Sequence, residues 1–369
     1  MAEKPHQDAD TLDDPGEVAR RDPNGMFTLL RRWPEQWKEA AALAREARLP
    51  GGAPPGGFRH VVISGMGGSA IGGDLLRSHL ADSLAVPLVV NRSYACPGFV
   101  GPDTLFVAVS YSGNTEETLA SLADALHRGA EVVGVTSGGA LGEECRRAGK
   151  TVLIIPRGLP PRQALGHLFL PALGLLAGLG LAPDPSAAIE ETGKRMREWV
   201  RAYGPEVPAR ENEAKRLAAS LRGRVPVVYG VQDRTDAVAL RWRGQFHENS
   251  KNWASSNVLP ELDHNEINAW ASLSELTRRC VTLIFLEDEE DGGRMVRRRE
   301  ITRELIAPHV SACLSVRSSG RCRLARLFSL IVLGDFASCY LAVLNRVDPL
   351  PVPVIEDLKK ALAAPSPTE

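Results

Sequence analysis

The sequence predicts an α/β protein built from two doubly wound parallel-sheet domains, and three observations carry that expectation. Strand-like apolar runs alternate with helical periods along most of the chain, the pattern of βα units around a parallel sheet. The succession strand, glycine turn, helix occurs at 61–80 and again, as a weak copy, at 226–248. A length of 369 residues is enough for two domains with a core each.

Residues 1–24 read as a loose polar arm, with helical periodicity starting near Met26. The first-half strands are His60–Ser64, Pro87–Val90, Thr104–Ser110, Glu131–Val135 and Thr151–Ile155, with helices at about 69–81, 115–128 and 140–148. Leu165–Ala182 carries no formal charge over 18 residues, about the minimum for a bilayer span. It contains Pro171 and four glycines, and Lys/Arg do not distinguish its flanks, so a buried helix between domains is the better account. The turn-rich Leu181-Ala-Pro-Asp-Pro185 divides a first domain, 25–183, from a second, 184–369. In the latter, Val225–Gly230, Cys280–Phe285 and Val310–Val316 read as strands, and 186–220, 234–250, 294–305, 322–345 and 352–363 as helices. The tail from Ala363 to Glu369 reads as disordered.

Charge is balanced, with 44 Lys+Arg against 45 Asp+Glu and a formal net of −1. A general nucleic-acid binder needs a cationic excess that is missing here, and no helix-turn-helix pattern is visible. Six scattered cysteines form no C-x-x-C pair and fit the reduced thiols of a cytoplasmic protein. The acidic N-terminal stretch lacks the apolar segment of a signal peptide.

Two strand-to-helix turns concentrate anion-binding chemistry. Ile63-Ser-Gly-Met-Gly-Gly-Ser-Ala70 is a glycine turn that brings backbone N–H groups to a ligand. Gly65-x-Gly67-x-x-Ala70 also satisfies the dinucleotide fingerprint, but that reading needs an acid at the end of the next strand. Asn91-Arg92-Ser93 stands there instead, which leaves NADP open and disfavours NAD. The second turn, Ser110-Tyr-Ser112-Gly-Asn-Thr115, gathers three hydroxyls at a helix start and suits a phosphorylated small molecule better than an extended dinucleotide. A capping box of Asn114 with Glu117 is the purely structural alternative, and it accounts for one polar residue rather than three. Arg162, in Pro160-Pro-Arg-Gln, is suited to pair a phosphate bidentately or to join a surface ion pair.

A third cluster runs from Phe246-His247-Glu248-Asn249 to Asp263-His264-Asn265-Glu266. Carboxylate and imidazole together move protons near neutral pH. A divalent metal on His247, Glu248, Asp263, His264 and Glu266 is the alternative, although no H-x-H or H-E-x-x-H spacing supports it. After the proline-rich Val347–Pro353, a short amphipathic helix carries Lys359 and Lys360, which read as ordinary C-terminal helix charges.

In combination, order and spacing these residues resemble the bifunctional phosphoglucose/phosphomannose isomerase family, built from two SIS (sugar isomerase) domains. The likeness runs from Asp22-Pro-Asn-Gly-Met26 to Lys359 and rests on Gly65–Ala70, Ser110–Thr115, Pro161–Leu165, Glu248-Asn249 and Asp263–Glu266. It implies two five-stranded flavodoxin-like domains and an aldose–ketose isomerisation through a cis-enediol, with no metal and no redox cofactor. Gly68, Ser69, Ser110, Ser112 and Thr115 are then expected to hold the sugar phosphate, and Arg162 to stabilise the intermediate. Glu248 is expected to shuttle the proton between C1 and C2. His264, supplied by the partner subunit of a homodimer, is expected to act in ring opening, assisted by Lys359. The pattern departs at Leu350, where relatives often carry a hydroxyl. A non-catalytic phosphosugar-binding regulator of the same architecture is the alternative, and a Glu248–His264 proton shuttle is what it would not need.

Overall fold

The computed structural model describes residues 11–363. Helices α1 (Pro15–Arg21), α2 (Met26–Arg31) and α3 (Trp33–Glu46) precede the first sheet. Helix α1 falls where a loose arm is expected. Asp14 caps it by accepting from Gly16 N at 2.8 Å, and Pro15 pre-sets the first turn. Leu12 and Val18 are buried, and Asp13 pairs with Lys215 at 3.2 Å, so contacts distant in sequence order this segment. Residues 1–10 of the expected arm and 364–369 of the expected tail lie outside the described residues.

The first sheet follows: β1 (His60–Ser64), α4 (Gly67–Leu80), β2 (Leu88–Asn91), β3 (Thr104–Val109), α5 (Glu116–His127), β4 (Glu131–Thr136), α6 (Gly139–Arg147) and β5 (Thr151–Ile154). Its five strands are parallel in the order β2-β1-β3-β4-β5, the flavodoxin-like arrangement. Strand β3 is buried at every position, as a strand covered on both faces must be.

Three helices lead to the second sheet. Helix α7 (Leu165–Gly178) is almost wholly buried against α3 and α4. The single helix expected over 186–220 is two, α8 (Ser186–Ala202) and α9 (Glu213–Leu221), separated around Gly204-Pro205 and restarted by Asn212, whose side chain accepts from Lys215 N at 3.1 Å. The second sheet comprises β6 (Val225–Val231), α10 (Asp236–Glu248), β7 (Ser255–Leu259), α11 (Ser274–Cys280), β8 (Val281–Glu287), α12 (Gly293–Ile306) and β9 (Ala312–Arg317). Its order, β7-β6-β8-β9, repeats that of the first sheet with four strands rather than five. Strand β7 is absent from the sequence reading because Ser-Ser-Asn-Val-Leu has neither alternation nor an apolar run. Pairing with β6 makes it a strand.

Helix α13 (Arg323–Leu344) passes through the centre, and α14 (Pro353–Ala363) ends the described chain. Among the described residues α13 alone is long and apolar enough to cross a membrane, but its apolar window is buried entirely within the protein. Phe328 on it meets Trp33, Trp37 and Phe169 at ring-centroid distances of 6.0, 4.6 and 5.6 Å. One apolar core therefore joins the two halves, while smaller clusters lie on the far face of each sheet. The strand ends of the first sheet and the C-terminal end of α10 meet across this junction.

Candidate active site

In an open α/β sheet a ligand sits beyond the strand C-termini where the strand order reverses, here between β1 and β3. The chain leaves β1 through Gly65-Met66 and enters α4 at once, exposing the unpaired N–H groups of its first turn. Gly68 lies so close to the next wall that a Cβ would come within 2.9 Å of the Pro161 carbonyl. Ser69 is buried, and its Oγ accepts from Tyr111 N at 3.3 Å, tying the two turns together.

The turn after β3 keeps its hydroxyls clustered. Ser110 Oγ and Thr115 Oγ1 are 2.9 Å apart, and Ser110 Oγ also accepts from Gly113 N at 3.1 Å. Gly113 has φ +75°, and a Cβ there would fall 1.8 Å from the Gly138 carbonyl oxygen, so no other residue fits. Thr115 is the N-cap of α5 but makes no side-chain capping bond. Asn114 does not form the capping box either, since its Oδ1 accepts from Ala140 N at 3.1 Å. Ser112 is exposed and accepts from Asn114 N at 3.2 Å.

Arg162 sits in the short turn Pro161–Gln163, with its side chain only 5% exposed. Its Nε donates to Asn249 Oδ1 at 2.8 Å, and Nη2 donates to the carbonyls of Pro349 and Leu350 at 2.9 and 2.7 Å. Nη1 stands 3.5 Å from Glu248 Oε2. Burial pulls the guanidinium below its ordinary pKa, and the Glu248 carboxylate opposes that shift. Glu248 ends α10, is about one-third exposed at its side chain, and faces a cavity of about 170 Å³ whose walls include Gly67, Gly68, Arg162, Arg243 and Gly244.

The structure thus brings Gly68, Arg162 and Glu248 to one cavity, and Ser69, Ser110 and Thr115 to the adjoining turn. His264 and Lys359 are not among them. His264 is exposed in the turn Glu261–His264 after β7, and Lys359 is exposed on α14. The five residues weighed as metal ligands are dispersed: His247 Nε2 lies 3.0 Å from the Ala254 carbonyl, Asp263 pairs with Arg298 at 3.0 Å, and Glu266 takes Tyr229 and Asn257. Among the described residues no group of three or more His, Cys, Asp or Glu is placed to hold a metal ion. Sequence reading passed over Arg243 and Gly244 and met Arg92 only as the residue that leaves NADP open, yet all three line the cavity. Gly244 left a signal, since glycine inside a helix costs about 1 kcal/mol relative to alanine, and a Cβ there would meet nothing within 4 Å beyond its own stretch of helix. A carboxylate beside a fixed guanidinium can take and return a proton while N–H groups stabilise a developing oxyanion.

Comparison with known proteins gives the family. Residues 210–362 match the family described as bacterial phospho-glucose isomerase C-terminal SIS domain. A bifunctional phosphoglucose/phosphomannose isomerase of Caldicellulosiruptor bescii is 44% identical over 338 residues, covering 92% of this chain and 99% of that protein. The protein of the same name from Aquifex aeolicus is 35% identical over 306 residues, covering 83% and 91%. In fold, the chain is similar to a putative phosphosugar isomerase from Clostridium difficile, with a TM-score of 0.66 at 14% identity over 92% of this chain and 99% of the other. Two SIS-type parallel-sheet halves and extended identity with these relatives place the chain in the bifunctional phosphoglucose/phosphomannose isomerase family.

Proposed function

We propose that the protein interconverts glucose-6-phosphate and mannose-6-phosphate with fructose-6-phosphate by proton transfer through a cis-enediol. The observation that carries the reading is the 3.5 Å approach of Arg162 Nη1 to Glu248 Oε2 beside the glycine turn of the first sheet. The half spanning 25–183 supplies the phosphate cradle through Gly68, Ser69, Ser110, Ser112 and Thr115. The half spanning 184–369 supplies the base. Glu248 removes the proton from C2 of the open-chain aldose and returns it to C1, and Arg162 donates to the oxygen on which charge develops. Two epimers that differ only at C2 collapse to one planar enediol, which is how one base serves both sugars.

Ring opening is assigned to the partner subunit's His264 and to Lys359 in a cytoplasmic homodimer. Their exposure in the single chain supports this, as does the stripe of Val354, Leu358 and Leu362 on α14, which is exposed. The test is a coupled assay of purified protein with fructose-6-phosphate. Both aldose phosphates should form, and Glu248→Gln should lower turnover by about 10⁴-fold while phosphosugar binding persists. Binding without turnover in the unmodified protein would favour the regulator. For the shared site, inactive Glu248→Gln and His264→Ala chains refolded together should regain about a quarter of wild-type activity, because half the dimers contain one intact site. No recovery would place both residues in the same chain's site.

A further inference from the structure

Arg162 belongs to the first half of the chain, yet among the described residues the hydrogen-bond and ion-pair partners of its side chain come from the second. A guanidinium has five N–H donors in a rigid plane. Three are committed: Nε to Asn249 Oδ1, and both Nη2 hydrogens to the carbonyls of Pro349 and Leu350. The two on Nη1 remain, turned toward Glu248.

Asn249 directly follows Glu248 and is fully buried. Its amide has one workable orientation. Nε can only donate, so Oδ1 must face it. Nδ2 is then left to donate to Ser338 Oγ at 2.9 Å, and that hydroxyl donates in turn to the Asp335 carbonyl at 2.8 Å. The main chain of Arg162 is held from the same direction. Its carbonyl accepts from Arg241 Nη2 at 3.0 Å, and Arg241 pairs with the fully buried Asp335 at 2.8 Å, which also accepts from Gln245 at 2.7 Å. The loop bearing Pro349 and Leu350 is tethered as well, since Lys251 Nζ donates to the Asp348 carbonyl at 2.6 Å. A helix-capping role does not explain the Asn249 side chain, because the capping bond, from Asn249 N to the Gln245 carbonyl at 2.8 Å, uses only backbone atoms.

We propose that Asn249 is a positioning residue for the isomerisation: it fixes the plane of the Arg162 guanidinium so that only the Nη1 edge is presented to Glu248 and the sugar. The proposal rests on the assignment of Glu248 and Arg162 made above. With Asn249 removed, a buried Nε loses its acceptor and only the Nη2 bonds to Pro349 and Leu350 still hold the fork, so its plane can tilt about that edge toward Glu248, which occupies the base and misdirects the donors needed by the enediolate.

The test is steady-state kinetics with fructose-6-phosphate on Asn249→Ala, Arg162→Ala and the double variant, with melting temperatures measured in parallel. Asn249→Ala is expected to lower kcat by about 10²-fold with KM changed less than about threefold. The double variant should be no slower than Arg162→Ala alone, because Asn249 acts through Arg162. Multiplicative losses in the double variant, or wild-type kcat in Asn249→Ala beside a disabled Arg162→Ala, overturn the proposal and leave the site assignment standing. Wild-type activity in Arg162→Ala overturns the site assignment itself. Should Asn249→Ala fail to fold, Ser338→Ala decides: it frees only the far end of the amide and should lower kcat about three- to tenfold at unchanged KM, and an unchanged kcat overturns the proposal.

Discussion

The strand ends of the two sheets are built to one plan and filled with opposite chemistry. In the first sheet, β1 and β3 run into turns of glycines and hydroxyls, Gly65–Ser69 and Ser110–Thr115, and the helix start after β1 lines a cavity. In the second, the corresponding turns are already occupied by the protein's own anions. Asp236, in the first turn of α10, accepts from Ser78 Oγ and pairs with Arg77. After β8, Asp288 is held by Arg326 at 3.0 Å and by Ser318 Oγ at 2.7 Å, and Asp291 by Arg299. A helix N-terminus attracts one anion. Where that anion is a covalently attached carboxylate already paired with an arginine, the position is filled from within the protein. The second unit contributes instead from the other end of its helix, since Glu248 is the last residue of α10. In the proposed reaction two copies of one unit thus divide the labour, one holding the substrate and the other presenting the base.

Variants can break this contrast, and the largest effect is expected in the second sheet. Arg326→Ala leaves Asp288 buried without its cation and should destabilise the fold by about 3–5 kcal/mol, read by chemical denaturation, with KM for fructose-6-phosphate unchanged. A raised KM would mean that this edge also handles substrate. In the first sheet the effect should invert. Ser110→Ala with Thr115→Ala should lower kcat/KM by about 10²- to 10³-fold, or about 3–4 kcal/mol, at nearly constant melting temperature. A melting loss without a kinetic one would reduce those hydroxyls to structural pins.

Next in size is a pH effect on the helix behind the glycine turn. His79 lies near the end of α4 with its ring 6.4 Å from that of Phe169, and burial pulls its pKa from 6.5 down to about 4. A depressed folded-state value means that stability is whole above the unfolded pKa and is lost as pH falls from 6.5 toward 4, by about 3 kcal/mol in all. His79→Gln should remove that slope in denaturation series at pH 7 and 4.5. An equal slope in both proteins would show that His79 is not its source. The smallest change is expected from Ser112→Ala. This exposed hydroxyl is bonded only to Asn114 N within the chain, and its loss should raise KM less than about tenfold, about 1 kcal/mol. A loss as large as that of the Ser110/Thr115 pair would move the phosphate outward in the turn.

Much of this was legible before any coordinates. Strand β3 is a continuous apolar run and α4 opens on a glycine turn, so both elements and the turn between them are local properties of the chain. Glu248 was legible as one of a cluster of carboxylates and imidazoles, and the family resemblance is what singled it out as the expected base. The failures share one cause. Helix α1 needs Lys215 and a buried surface far along the chain, and β7 is a strand only because β6 offers it a partner. The cavity role of Gly244 depends on which face of α10 meets the first sheet.

The sequence alone determined the βα rhythm and the two turns rich in glycines and hydroxyls, because each depends on neighbouring residues and on hydrophobic periodicity, and through its family resemblance it offered Glu248 as the candidate base. Only the tertiary structure decided that Arg162 turns its one free edge to Glu248. That orientation is imposed by acceptors 87 and 187 residues away, and no short-range rule of chain chemistry encodes a plane held from such distances.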